Sequence, residues 1–218
     1  MARGTDPGPT VLAAATPAAA DLARALRAAS VVEAPEAPVD AGWGWRWDEV
    51  LAGWRERIHA LPPPDRLVVC TWAPSHPAAA VTDLAPEAWR TRVEWPTALW
   101  FTTLVAAADR VVDGGAAVAV AERPATLDAP GHGAEVAVGD GVANLVRSLA
   151  AAHGPRGVRV NAVATALHTA PAHPLGAPPR LDGFPGTVAD VAGAVRILLS
   201  DDASAVTAAT LAADRGRR

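Results

Sequence analysis

Among the side chains whose types could do chemistry are the carboxylates Glu122 and Glu135, with His132 between them in sequence. Two carboxyl groups in a partly closed cleft push their proton affinities apart, so that one serves as acid and the other as base. Such a pair supports isomerisation, dehydration or cyclisation without a redox cofactor. Glutamate and histidine are also metal-ligand types, but the spacing here matches no recognised metal motif, and no metal is expected. The competing reading is that both carboxylates are solvated surface charges. Other candidates carry less. Cys70 sits in an apolar run with no base beside it and reads as core packing. His59, His76 and His153 read as ordinary surface or loop residues. The chain has no Tyr and no Lys at any position, so no phenol or ammonium can join the carboxylates.

The elements that must position these groups follow from hydrophobic periodicity. Val142, Leu145, Val146 and Leu149 recur at the spacing of a helix with one buried face, Gly154-Pro155 ends that helix, and an apolar strand runs from Val158 to Ala164. Helix, short turn and buried strand form the second half of a β-α-β unit, which implies a parallel sheet covered by helices on both faces. Before it, the pattern predicts a strand over Val11 to Ala15, a helix over Pro17 to Ala29 and a strand over Ser30 to Glu33. Trp47, Val50, Leu51, Trp54 and Ile58 mark another helical face. A strand follows over Arg66 to Thr71, then a long helix over Pro86 to Val112 with Trp89, Val93, Trp100, Leu104 and Ala107 along one side. Gly115 to Ala121 reads as a strand, Val188, Val191, Val195 and Leu198 as a helical face, and Ala208 to Ala213 as the last strand. Trp43, Trp45 and Trp47 either fill a gap in the core or present a partner-binding surface.

The bulk numbers bound the rest. A length of 218 residues suits one domain, placed at residues 10–214 behind a flexible lead of residues 1–9 and ahead of a basic tail, Arg215 to Arg218. Half of the residues are hydrophobic, yet no apolar stretch is long enough to span a membrane. The net charge is -4 and the basic residues, all Arg, are scattered, which argues against a nucleic-acid surface. A single cysteine excludes an internal disulfide framework and fits the cytoplasm.

The run R-S-L-A-A-A-H-G-P-R-G-V-R-V-N-A-V-A, followed by Thr169, resembles the segment before the substrate loop of the short-chain dehydrogenase/reductase superfamily. A second run, from Thr187 through V-A-D-V-A-G-A-V-R-I-L-L-S-D-D-A-S-A-V-T, resembles that family's last helix and the turn into its last strand, with Ala213-Asp214-Arg215-Gly216 where members usually carry Val-Asp-Gly-Gly. The resemblance implies a Rossmann-like, doubly wound parallel sheet in a single domain. It also implies a shortening between the second and fourth strands, with only A-P-V-D, Ala37 to Asp40, left of the third.

What the resemblance implies about function lies in its departures. The family's glycine-rich turn would fall on Ala13, Pro17 and Ala19, where added methyls are expected to intrude on the phosphate path and Pro17 removes a donor. Glu33 lies about where an acid would meet the adenosine ribose, though Glu33 and Glu36 also read as solvated loop charges. Trp72 stands at the cofactor edge, where it would take up cofactor space. The structural Asn falls at Pro96, which should kink its helix. The catalytic Ser falls at Glu122, the Tyr at Glu135 and the Lys at Gly139. Thr165 to Gly186, with His168 and His173, matches a shortened substrate lid. No cofactor is therefore expected, and NAD(P) binding least of all. The expected function is that of a catalytically silent subunit which assembles with an active relative in a hetero-dimer or hetero-tetramer, or with itself. The long helices and the last helix and strand would form its contact faces. The alternative is a non-redox enzyme that reuses the cleft, with Glu122 and Glu135 as acid and base.

Overall fold

The computed structural model describes residues 8–38, 47–123, 131–167 and 187–214. Trp43, Trp45, Thr169, His168, His173, the basic tail and most of the expected lid lie outside them. In chain order the elements are β1 (Thr10–Ala13), α1 (Pro17–Ala25), β2 (Ser30–Glu33), α2 (Trp47–His59), β3 (Arg66–Cys70), α3 (Pro86–Trp89), α4 (Trp95–Arg110), β4 (Ala116–Glu122), α5 (Gly133–His153), β5 (Arg159–Thr165), α6 (Val188–Leu199) and β6 (Thr210–Ala212). The six strands form one parallel sheet in the order β2-β1-β3-β4-β5-β6. Helices α4 and α5 pack on each other, with α2 against α4, while α1 and α6 pair separately. This is the doubly wound α/β arrangement that the apolar strand patterns imply. All seven residues of β4 are buried, as are all but the first residue of β3 and of β5. Strands covered on both faces read as unbroken apolar runs for this reason.

The chain runs from β1 outward to β2 and then crosses back to place β3 on the other side of β1. Such a reversal leaves a crevice beyond the carboxyl ends of the strands, because the two loops leaving β1 and β3 diverge. Between β2 and β3 the described residues hold only α2, in agreement with the expected shortening, and Ala37 and Pro38 belong to no strand. Trp47 and Trp54 of α2 are buried. The Trp47 ring meets Trp95 edge-on at 5.6 Å, and the Trp54 indole donates to the Thr103 hydroxyl at 2.8 Å. Trp47 is therefore core filling rather than surface.

Several boundaries differ from the periodic reading. Strand β1 stops at Ala13, and the chain turns through a bond from the Thr16 N–H to the Ala14 carbonyl. Helix α1 ends at Ala25, because Arg27 takes up a left-handed conformation with φ of 53° and the Ala29 N–H turns away to the Pro9 carbonyl. Order thus reaches back before residue 10. Pro9 is buried, and a Cβ on Gly8 would meet the Arg27 carbonyl oxygen at 1.8 Å.

The helix expected over Pro86 to Val112 is broken by a π turn over Arg90–Glu94, in which the Trp95 N–H reaches the Arg90 carbonyl. Pro96 explains it, since a proline there has no N–H for the Arg92 carbonyl and its ring would crowd that group. Beyond the wider turn Trp100, Leu104 and Ala107 are buried as expected, and further residues join them. Arg92, Trp95, Leu99 and Thr103 are buried, whereas Val93, expected on the buried face, is only partly covered.

Candidate functional site

Two cavities open at the carboxyl ends of the strands, and Trp72, just after β3, lines both. Its indole is buried and donates to the Val120 carbonyl of β4 at 2.6 Å. The side chain therefore lies across the end of the sheet as a partition.

The first cavity lies at the end of β4 and brings together the two carboxylates the sequence singles out. Glu122 is the last residue of β4 and Glu135 lies in the first turn of α5; both line the cavity and both are nearly buried. The decisive neighbour is Arg92, which sequence reasoning missed. Its Nε donates to Glu135 Oε1 and its outer nitrogen to Oε2, each at 3.0 Å, a two-pronged charge-assisted pair. The remaining guanidinium donors go to the carbonyls of Pro77, at 3.1 Å, and Gly131, at 3.3 Å. With Arg92 only 4 % exposed, this cation joins the loop after β3, the π turn and the start of α5. No signal in a single sequence marks it. Arg92 reaches the core side only because the π turn rotates it there.

His132, at the N-terminal boundary of α5, is buried with its Nδ1 3.7 Å from Glu135 Oε2, too far for a hydrogen bond. Among the described residues no three His, Cys, Asp or Glu side chains come together as metal ligands. Gly139 closes the inner wall. A Cβ there would stand 2.5 Å from the Glu122 carbonyl oxygen, so α5 can press on the end of β4 only while position 139 has no side chain. The room left for solvent in this cavity is about 30 Å³, enough for a water or two. Both carboxylate oxygens of Glu135 accept hydrogen bonds from the Arg92 guanidinium.

The second cavity is the crevice over β1 and β3. It has about 320 Å³ of free volume and is walled by the loops after β1, β2 and β3 and by the start of α4. The three positions expected to obstruct a phosphate do not do so in the way the sequence suggests. Ala13 and Ala19 are buried, at 2 % and 0 % exposed, and turn into the core; the wall is made by Ala14, Ala15 and Thr16. The helix end is closed by different means. Thr16 caps α1 by accepting the Ala19 N–H on its own hydroxyl at 3.3 Å, and Pro17 has no N–H to offer. Glu36 lines the crevice, while Glu33 ends β2 exposed and outside its wall. Cys70, buried under the crevice, has its thiol pushed up to about 12 by burial and is inert packing.

A parallel sheet with a crevice at its topological reversal, and a second cavity between the next strand and the following helix, defines a Rossmann-like α/β protein. The chain belongs to the short-chain dehydrogenase/reductase superfamily: a family model described as enoyl-(acyl carrier protein) reductase matches residues 11–218. Among solved structures, the chain is similar to carveol dehydrogenase from Mycobacterium avium in complex with NAD, with a TM-score of 0.71 and 17% identity over 99% of both chains. A short-chain dehydrogenase family protein from Francisella tularensis gives a TM-score of 0.69 and 12% identity over 97% of this chain and 99% of that one. The enoyl-(acyl-carrier-protein) reductase of Anaplasma phagocytophilum, in complex with NAD, gives 0.67 and 17% over 97% and 92%. No curated protein sequence matches. No helix among the described residues is long and apolar enough to cross a membrane.

Proposed function

We propose that this protein is a catalytically silent member of its family, which assembles with an active relative in the cytoplasm and stabilises or regulates it. The observation that carries this reading is the small size of the first cavity. Where the family resemblance places a catalytic Ser, Tyr and Lys stand Glu122, Glu135 and Gly139. Glu135 is tied to Arg92, Gly139 has no space for a side chain, and about 30 Å³ remains. A carbonyl substrate needs a positioned proton donor and a hydride source beside it, and this arrangement offers room for neither.

Solved relatives hold NAD, so the residues of the crevice have to be weighed against a dinucleotide. They do not fit one. A pyrophosphate is held by free N–H groups at a helix N-terminus or by cations. Here Thr16 takes the Ala19 N–H and Pro17 has none; no Arg among the described residues lines the crevice, and Glu36 adds a negative charge. No nicotinamide cofactor is therefore part of this reading, and none of its steps uses one.

Assembly is supported by apolar side chains left exposed on the surface. Phe101 of α4 and Ile197 of α6 are 57% and 59% exposed, and Val206 and Leu211 near and in β6 are also exposed. Phe101, Ile197 and Leu211 lie on the segments expected to contact other subunits, and Val206 lies in the connection between α6 and β6. Large apolar side chains left in water are favourable to cover.

The alternative, a non-redox enzyme with Glu122 and Glu135 as acid and base, has in its favour that both carboxylates line one cavity, and against it the engagement of Glu135 by Arg92. Co-expression with an intact relative, followed by purification through a tag on one chain only, tests the main reading. Copurification in fixed stoichiometry supports it. A stable, solitary chain whose turnover of any substrate is lost on Glu135→Gln would replace it with the alternative.

A further inference from the structure

We infer that the joint outer face of α4 and α5 receives a second copy of this chain, with Phe101 of each copy seated in the hollow over Gly141 of the other. The inference rests on the assembly reading above only in taking α4 and α5 as a contact face. It names the partner for that face as a like chain, which leaves α6 and β6 for the active relative.

Phe101 and Gly141 are a knob and a hole. Phe101 is the most exposed aromatic side chain among the described residues, at 57%, and its ring has no polar atom to offer water. Gly141 lies in the interior of α5, where glycine costs helix stability, and a Cβ there would meet nothing within 4 Å. The two stand at the same height on one surface. Helices α4 and α5 pack on each other, and Trp100 and Val142, the chain neighbours of Phe101 and Gly141, line the first cavity together. Within one copy the ring leaves the hollow open.

The surroundings suit burial. The exposed residues Thr97 on α4 and Ala137, Asn144 and Ser148 on α5 extend the face without charge. Asp140 and Arg147 project about 100–120° round α5 from Gly141. Charge returns at the ends of α4, at Glu94 and Asp109, as it does at the polar rim of an interface. The helices are 16 and 21 residues long, and at about 10 Å of width each they share a face of roughly 20 by 24 Å. Measured over its side-chain relief, such a face approaches the ~800 Å² that a stable dimer buries on each partner.

The occupant follows from the pairing of knob and hole on one face. A two-fold contact brings the same patch of both chains together, so each must give what the other receives. This face does both: a two-fold axis passing between Phe101 and Gly141 seats both rings at once. Covering them removes apolar surface from water twice over.

The test starts from the purified full-length chain with no relative present, which light scattering should show at twice the chain mass. Phe101→Ala should raise the dimer dissociation constant at least about thirtyfold, as loss of a buried aromatic anchor does. Gly141→Leu, which fills the hollow where a methyl would only line it, should leave a monomer with an unchanged circular dichroism spectrum. A monomeric wild type overturns the inference, as does a dimer that either variant leaves intact. Tagged copurification with an intact relative tests the subunit reading separately. Capture of the relative by Phe101→Ala as strong as by the wild type supports the inference, whereas capture lost only in the variant puts the relative on α4 and α5 and overturns it. Failure of the wild type to capture any relative removes the subunit reading and leaves the dimer to be decided by its mass.

Discussion

Arg92 and Cys70 are the residues through which this chain's chemistry is most exposed to test. Arg92 and Glu135 form a buried pair with side-chain exposures of 5% and 10%. Removing one partner of such a pair strands the other, so Arg92→Ala should lower stability by about 3–5 kcal/mol, whereas Arg92→Met combined with Glu135→Leu should regain most of the loss. Urea denaturation of the three proteins decides it; a double variant as unstable as the single one would show that the stranded carboxylate is not the cause. Cys70 offers a pH readout. Burial raises its thiol from an ordinary value of 9.0 to about 12. Between those values the folded chain keeps a proton that the unfolded chain has lost. Its contribution is therefore complete below pH 9 and falls as pH rises toward 12, by at most ~1.4 kcal/mol per unit. With neither Tyr nor Lys in the chain, no other kind of side chain ordinarily titrates near pH 10. Urea midpoints measured from pH 8 to 11 should slope downward in the wild type and stay flat in Cys70→Ala.

Among the elements, α5 sets how close the site can close. It carries glycines at 139 and 141 that the sequence does not distinguish. A Cβ at Gly139 would meet the Glu122 carbonyl oxygen at 2.5 Å, while nothing lies within 4 Å of one at Gly141. Gly139→Ala should therefore destabilise by about 1–3 kcal/mol through overpacking, and Gly141→Ala should stabilise by roughly 0.5–1 kcal/mol through helix propensity. Thermal melts of the pair should move in opposite directions, and a shift of equal sign would mean that α5 does not press on β4 as described. The π turn before α4 belongs to the same scale. It answers the local problem posed by Pro96, and in doing so it turns Arg92 toward the carboxylate that the next helix supplies.

For the molecule as a whole, the central strands are buried on both faces, and the outer apolar groups are left as a source of free energy for association. Phe101→Glu and Ile197→Glu place charges on the exposed faces of α4 and α6 without touching the core. If these faces carry assembly, light scattering should show the wild type as an oligomer, alone or with a co-expressed relative. The double variant should then be a folded, smaller species. An unchanged mass in the double variant would remove these faces from the reading.

The sequence alone was sufficient for the architecture. Strand and helix periods, Gly154-Pro155 and the two runs that resemble the family lead to a parallel sheet with α4, α5 and α6 in place, because apolar periodicity reports burial directly. It also placed Glu122 and Glu135 at one site. Other features depended on distances no periodicity encodes: the π turn that buries Arg92, the inward turn of Ala13 and Ala19, the cap that Thr16 makes on α1, and the indole of Trp72 that divides the two cavities. The place of Arg92 beside Glu135 and of the Trp72 indole against Val120 joins residues more than forty apart, and only the folded packing brings such partners together.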